Sequence, residues 1–320
     1  MSSREKNIKW NGFFERAAPG ETDYLCAMKL KTIKTVLNHP LNAGRPLSAL
    51  CRLFKRGLVV RLHRSPIAYP FVENTFLVVE QGMSSAELQI YTHLYDFREM
   101  AFLLHYMRKE EDVFVDIGAN IGVYTVFAAG LAEVRVIAAE PAPGTFRKLE
   151  RNVLFNGLQK NTELHNVAVG DENGYLDFTS GLDAVNHVVL NGEGKNTVKV
   201  PAVTLDHLLA DKEATCLKID VEGFEANVIN GASSVLSRDS LQVVIMETNG
   251  LSDLYSFGQN YLHDKLVSFG FSPCAYDPFL RKIIILEQPD DTNTIYIKNV
   301  EAAVTRVREG RRFSVGGWKF

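Results

Sequence analysis

The 320-residue sequence predicts an α/β protein built on a doubly wound, mostly parallel sheet, with an antiparallel insertion and a C-terminal hairpin. Three observations predict it. Beyond residue 110, short β-branched runs alternate with segments of helical periodicity, the pattern of repeated βαβ units. Glycines or acids follow those runs directly, where such sheets carry their functional loops. Hydrophobic residues at 46%, charged residues at 23% and a mean hydropathy of -0.05 describe a globular chain and argue against disorder or a fibre.

In chain order, Ser48 is placed to cap a basic amphipathic helix through Leu50, Leu53, Phe54 and Arg56. Its apolar face is expected to pack on the core, the alternative being a membrane surface or a partner. Residues 71–79 read as strand and 87–108 as helix. The run from Val113 to Ile117 is the first strand of the βαβ series, followed by a helix over 121–131 and a second strand over 134–139. The next helix, over 141–156, carries Phe146, Leu149, Val153 and Leu154 at helical spacing and stops at Gly157. A third strand covers 164–169. Between 171 and 204 the helical rhythm gives way to strands near 175–178 and 198–203, the antiparallel insertion. Strands at 216–219 and 243–246, with a helix over 224–236 between them, bring the parallel strands to five. A helix over 261–269 then leads to 282–286 and 294–298, a pair resembling a hairpin that finishes the sheet. The expected division is a basic, partly helical segment over 1–68, the main domain over 69–300 and a tail over 301–320.

The net charge of -3 conceals an asymmetry: residues 1–64 hold thirteen Lys and Arg against four acids, making that region +9 and the remainder -12. An arm for an anionic partner and a layer docked on its own acidic domain both produce such a split, and the docked layer is the expectation. The most apolar stretch, 113–139, is interrupted by Asp116, Asn120, Glu133 and Arg135, which excludes a spanning helix there. The N-terminal residues carry charges but no apolar signal core, so the expected location is cytoplasmic. Cys26, Cys51, Cys216 and Cys274 form no Cys-x-x-Cys pair and read as buried thiols, neither a disulfide framework nor a zinc site.

Ligands in an open parallel sheet sit beyond the carboxyl ends of the strands. At the first such end, Asp116-Ile117-Gly118-Ala119-Asn120-Ile121-Gly122 supplies glycines for a tight turn and close backbone approach. Asn120 breaks the Gly-x-Gly-x-x-Gly spacing, which disfavours a dinucleotide enzyme. Glu140 ends the next strand, where a carboxylate accepts two hydrogen bonds from a ribose diol, and the two features together read as a nucleoside pocket. Asn166 to Asp171 either borders an adenine or turns the chain into the insertion. Asp220, Glu222 and Glu225 then crowd one edge, and crowded carboxylates raise one another's pKa unless a cation, hydrogen bonds or a substrate compensates. That suits a general base or a divalent ion, with Asp220 the first candidate and Lys218 its compensating partner on the same side of the strand. Glu225 reads equally as an acid on a first helical turn. Glu247 is directed at the same edge, and His187 reaches the acceptor if the insertion covers the pocket.

Taken together, DIGANIGVYT (116–125), EPAPGTFRKLERNVLFNGL (140–158), NVAVGD (166–171), VTLDHLL (203–209), LKIDVEGFE (217–225) and IMET (245–248) resemble the FkbM-type methyltransferases. These are class I enzymes of Rossmann-like fold that use S-adenosylmethionine. The resemblance runs in order over residues 85–250. It implies O-methylation of a hydroxyl on a sugar, glycan or secondary metabolite. It also implies that Asp116, Gly118, Ala119, Asn120 and Gly122 line the methionine and ribose side of the cofactor and that Glu140, beside Pro141, holds the ribose. Ala168, Val169 and Asp171 would border the adenine, and Asp220, Glu222 and Glu247 would face the acceptor. The sulfonium is already a strong methyl donor, so the protein has chiefly to align the acceptor oxygen and assist loss of its proton. A divalent metal is compatible with the carboxylates but not required. The expected partner is a small-molecule or glycan acceptor with a free hydroxyl. Nucleic acid is not expected at pI 6.3, peripheral membrane contact by the basic N-terminus is compatible with its charge, and oligomeric state is not legible. The alternatives are a non-catalytic nucleoside-binding scaffold, against which the intact carboxylates count, and an NAD-dependent oxidoreductase, which lacks its glycine fingerprint.

Overall fold

The computed structural model describes residues 32–62, 66–80, 83–109, 111–179, 197–248, 260–290 and 292–320. Five parallel strands form its centre: β1 (Val113–Ile117), β2 (Arg135–Ala139), β3 (Thr162–His165), β4 (Cys216–Ile219) and β5 (Val243–Glu247). Three antiparallel strands extend it: β6 (Ser272–Asp277), β7 (Lys282–Ile285) and β8 (Asn293–Ile297). The order across the sheet is β7-β6-β8-β5-β4-β1-β2-β3. The chain steps outward from β1 to β3 and then returns to β4 on the other side of β1, so the order reverses between β1 and β4. A crevice opens at such a reversal.

Alternate side chains of each strand enter opposite cores. Phe114, Val136, Cys216 and Ile245 face one, and Val115, Ile137, Leu217 and Val244 the other. Burial on both faces explains why these strands read as unbroken apolar runs. The helices Phe97–Tyr106, Val123–Phe127, Pro143–Phe155 and Val300–Glu309 contribute to the first core, and Glu225–Asn230, Ser233–Ser237 and Tyr261–Ser268 to the second. The ends of the described chain share the first core: Val36, Leu41 and Ala49 are buried with Val307, Phe313 and Phe320. Trp318 Nε1 donates to the Leu41 carbonyl at 2.9 Å, and Arg45 donates to the Gly316 carbonyl at 2.8 Å. Residues 301–320 are thus part of the packed body, not a pendant tail.

Several elements differ from the sequence expectation for identifiable reasons. The strand expected over 164–169 is divided, because Asn166 Nδ2 donates to the carbonyls of Glu140 (2.8 Å) and Pro141 (2.9 Å) and turns the chain out of the ladder. Ala168–Gly170 joins a second sheet beside Thr197–Thr204, which pairs antiparallel with Gly174–Thr179. Residues 71–79 are not one strand: Ile67–Pro70 and Phe76–Val79 form a hairpin whose turn is closed by Thr75 on the Val72 carbonyl. The helix expected over 87–108 breaks at His93 (φ 71°) into Ser84–Thr92 and Phe97–Tyr106. That expected over 224–236 breaks near Gly231, where an added Cβ would lie 2.0 Å from the Gly170 carbonyl oxygen. The two C-terminal strands do not pair with each other, since β6 lies between β7 and β8. Ser48 is not a cap but lies inside the helix Pro46–Leu62, where it accepts from Arg52 Nη1 at 3.1 Å. The apolar face of that helix is split: Ala49 and Leu53 pack on the core, whereas Leu50 and Phe54 are exposed. Cys216 and Cys274 are buried and Cys51 is exposed; Cys26 lies outside the described residues. Among the described residues no helix is long and apolar enough to cross a membrane.

Candidate active site

A cavity of about 670 Å³ lies at the carboxyl ends of β1, β2, β4 and β5. Its narrowest constraint is backbone against backbone. Gly118 has φ +80°, and a Cβ there would stand 1.8 Å from the Asp220 carbonyl oxygen, so the loops after β1 and β4 touch at a point only glycine permits. Gly118 and Ala119 both donate to the Ala139 carbonyl at 3.0 Å. Asn120, at φ 52°, occupies the left-handed region that asparagine tolerates and turns its N–H onto Glu140 Oε2 at 3.0 Å. Glu140 Oε1 accepts from the Ala142 N–H at 2.9 Å. Each oxygen keeps a lone pair for a ligand hydroxyl. Burial pushes Glu140 up to about 7, against the pull of these backbone bonds. Beyond it Pro141, Ala168, Val169, Phe178 and Phe224 form an apolar end suited to a flat ring.

The other end is acidic around one cation. Lys218 is 3% exposed, donates to Asp220 Oδ2 at 2.6 Å and lies 4.6 Å from the centre of the Tyr124 ring. Burial works to lower the Lys218 pKa, but the carboxylates of Asp220, Asp116 and Asp96 outweigh it and hold the ammonium above the usual lysine value. Asp116 accepts from Thr125 Oγ1 at 2.7 Å and Asp96 from the Tyr124 hydroxyl at 3.1 Å; burial raises both carboxyls. Glu222 sits at φ 52° in a strained turn followed by Gly223 at φ 98°. Desolvation, then the charges of Asp220 and Glu225, push Glu222 up to about 7. Glu247 is pushed up to about 8 by desolvation and by Asp220 and Glu222. Asp220, Glu222 and Glu247 each offer an oxygen within 4.8 Å of the others. Glu225 takes no part in this group: its Oε1 accepts from the N–H groups of Val221 (3.2 Å) and Gly223 (3.1 Å) and fixes the turn.

Of the residues singled out from the sequence, Asp116, Gly118, Ala119, Asn120, Glu140, Pro141, Ala168, Val169, Lys218, Asp220, Glu222 and Glu247 line one cavity. Gly122 and Asp171 do not line it. Gly122 starts the helix Val123–Phe127 and packs against Leu149, and Asp171 is exposed and accepts from Asn227 Nδ2 at 3.1 Å. His187 lies outside the described residues. Sequence reasoning missed the wall built by Thr35, His39, Tyr95, Asp96, Glu99 and Asn293. Asp96 lies at the helix break after His93, which the helical periodicity hides. Tyr124 was within the quoted glycine-loop motif, and its position in the first turn of the helix was the available signal.

A family model described as the methyltransferase FkbM domain matches residues 116–271. The hexuronic acid methyltransferase AglP of Haloferax volcanii is 30% identical over 145 residues, 43% of this chain and 56% of that protein. Methyltransferase 1 of Beauveria bassiana is 26% identical over 147 residues, 38% of this chain and 59% of that protein. The match thus spans little more than half the length of these relatives. The solved FkbM methyltransferase of Methylobacillus flagellatus aligns with 67% of this chain and 55% of its own at 16% identity and a TM-score of 0.41. The glycine loop, Glu140 and the three-carboxylate group all fall within 116–271, the segment that matches the FkbM methyltransferase domain.

Proposed function

We propose that the protein transfers a methyl group from S-adenosylmethionine to a hydroxyl oxygen of a sugar, glycan or similar small acceptor. The observation that carries this reading is the division of the cavity into a nucleoside end and a carboxylate end that meet where Gly118 touches Asp220. The fit to the cofactor rests on its donor set. Glu140 has two oxygens with spare lone pairs for a ribose diol, the glycine loop admits close backbone approach, and the apolar end accepts an adenine. When bound, the cofactor supplies an electrophilic methyl group on a sulfonium. Asp220, oriented by Lys218, is placed to take the acceptor proton, with Glu222 and Glu247 beside it.

The first test is calorimetric titration with S-adenosylhomocysteine, with NAD as control. Micromolar binding of the first alone supports the reading, NAD binding would favour an oxidoreductase, and a folded protein that binds neither would be a scaffold. With an acceptor in hand, Asp220→Asn should lower kcat about 100-fold while cofactor affinity stays within about a factor of three. Full turnover in that variant would remove Asp220 from the role of base.

The pH dependence follows from the raised carboxyls. Glu222 and Glu247 are protonated below about 7 and about 8 respectively, so the basic form of the group appears as pH rises through that interval. Turnover is therefore expected to climb across it and level off above. A profile that is flat or falling there contradicts a requirement for ionised Glu222 and Glu247 in turnover. A second reading places a divalent cation among Asp220, Glu222 and Glu247, favoured by their mutual approach within 4.8 Å. Loss of turnover on chelation, restored by added cation, selects that reading; turnover that survives chelation selects the metal-free one.

A further inference from the structure

The helix Pro46–Leu62 turns an apolar stripe to solvent. Leu47, Leu50 and Phe54 are 77%, 39% and 78% exposed, and Cys51 between them is exposed as well. Positions 47, 50, 51 and 54 follow the i, i+3, i+4, i+7 rule and so share one face. Single apolar residues scattered on a surface are ordinary, whereas a continuous stripe marks an interaction site.

The charge along this stretch of sequence is of one sign. From Tyr24 to Val72 the sequence contains nine Lys and Arg and neither Asp nor Glu. Among the described residues Lys34, Arg45 and Lys55 are exposed. Arg52 is turned inward instead, donating to Asn42 Oδ1 and the Tyr91 carbonyl, which braces the helix on the body. Arg45 lies over the Trp318 ring, and Phe279, 5.5 Å away on the same ring, is followed by Leu280 at 72% exposure.

We infer that this face seats the protein on an anionic bilayer surface. Leu47, Leu50 and Phe54 enter the boundary between headgroups and acyl chains, and the acid-free cations meet the lipid phosphates and carboxylates. A nucleic acid would satisfy the cations but leave the leucine and phenylalanine stripe nothing to bury in; a bilayer satisfies both. The protein lies on the membrane through this helix, which among the described residues is not apolar enough to cross. The segments that brace it, 32–42 and 84–92, also carry Thr35, His39, Leu88 and Gln89 of the cavity wall, so the membrane seat and that wall share one support.

The test is co-sedimentation of the full chain with phosphatidylcholine vesicles containing roughly one-third phosphatidylserine, and with pure phosphatidylcholine vesicles. Binding is expected to the anionic vesicles and to be about tenfold weaker to the neutral ones and in raised salt. The Leu47→Ser/Phe54→Ser double variant should bind anionic vesicles about tenfold less, with its thermal midpoint and S-adenosylhomocysteine affinity unchanged, because both side chains are exposed. Lys55→Glu should weaken binding without altering unfolding. Failure of the wild-type chain to bind anionic vesicles, or undiminished binding by the double variant, would overturn the inference. So would a wild-type dimer in sedimentation that the double variant dissolves, since the stripe would then belong to a second copy. Vesicle binding does not depend on methyl transfer, so this inference and the proposed function fail separately.

Discussion

A protein carrying Gly118→Ala is expected to give no calorimetric signal with S-adenosylhomocysteine at concentrations that saturate the parent chain. The added methyl would fall 1.8 Å from the Asp220 carbonyl oxygen and 2.8 Å from its carbon. Both are backbone, and φ +80° is already unfavourable for alanine, so nothing flexible can yield. The loops after β1 and β4 would have to separate, displacing Asp220 and the Asn120 N–H that orients Glu140. Overpacking of this kind costs about 1–3 kcal/mol, and the left-handed backbone adds about 1 more, so the thermal midpoint should fall with the affinity. Gly144→Ala is the control. It lies in the helix Pro143–Phe155 with open space around its Cα, and it should leave binding unchanged while adding a few tenths of a kcal/mol to stability. Equal affinity in Gly118→Ala and the parent would show that the cofactor does not use this loop.

Lys218→Met should be the most pH-dependent lesion in the molecule. The substitution keeps length and apolar bulk but leaves the buried Asp116 and the neighbouring Asp220 without their cation. Removing one member of a buried pair costs roughly 3–5 kcal/mol, and the lower end applies because Asp220 is partly open to water. The sign is set by Asp116, whose folded pKa is already raised by burial. A raised acid is favoured in its protonated form, so the stability deficit grows as pH rises above the unfolded value, and loss of Lys218 raises the acid further. Denaturation of the variant should therefore approach that of the parent in mild acid and diverge from it above neutrality. Lys218→Arg would retain the charge but not the fit, and an intermediate loss is expected. A deficit independent of pH would reduce Lys218 to a packing residue.

The parts of this architecture that the sequence makes legible are those in which local pattern and global role coincide. The strands β1 and β4 are short apolar runs because they are covered on both faces, and their carboxyl ends carry Gly118 and Asp220 because the order of the sheet reverses there. Glu140 was legible from its place at the end of β2. The break at His93 was not, since helical periodicity runs through it and only the chain's turn, held by Gln89 Oε1 on the Tyr95 N–H, creates it. Strand β6 begins Ser-Pro-Cys, and a proline argues against a strand, so the neighbours of β7 and β8 could not be assigned from pattern. Asp171 occupies a motif position but is drawn to Asn227, a partner 56 residues away that no local reading supplies. The far cavity wall is assembled from residues near 39, 96 and 293, and no single window of sequence contains it.

The meeting of Leu41 with Trp318, and of Arg45 with Gly316, has a consequence for synthesis. The ribosome releases residues 116–271, and with them the glycine loop, Glu140 and the carboxylate group, before residues 314–320 exist. The segment that carries Thr35 and His39 is held by Tyr91 and Tyr95 from the start but gains its contacts with Gly316 and Trp318 only after residues 116–271 are complete. Birth order separates the two halves of the cavity: the half built from 116–271 can mature on the nascent chain before residues 316–318 add their brace to the opposing wall.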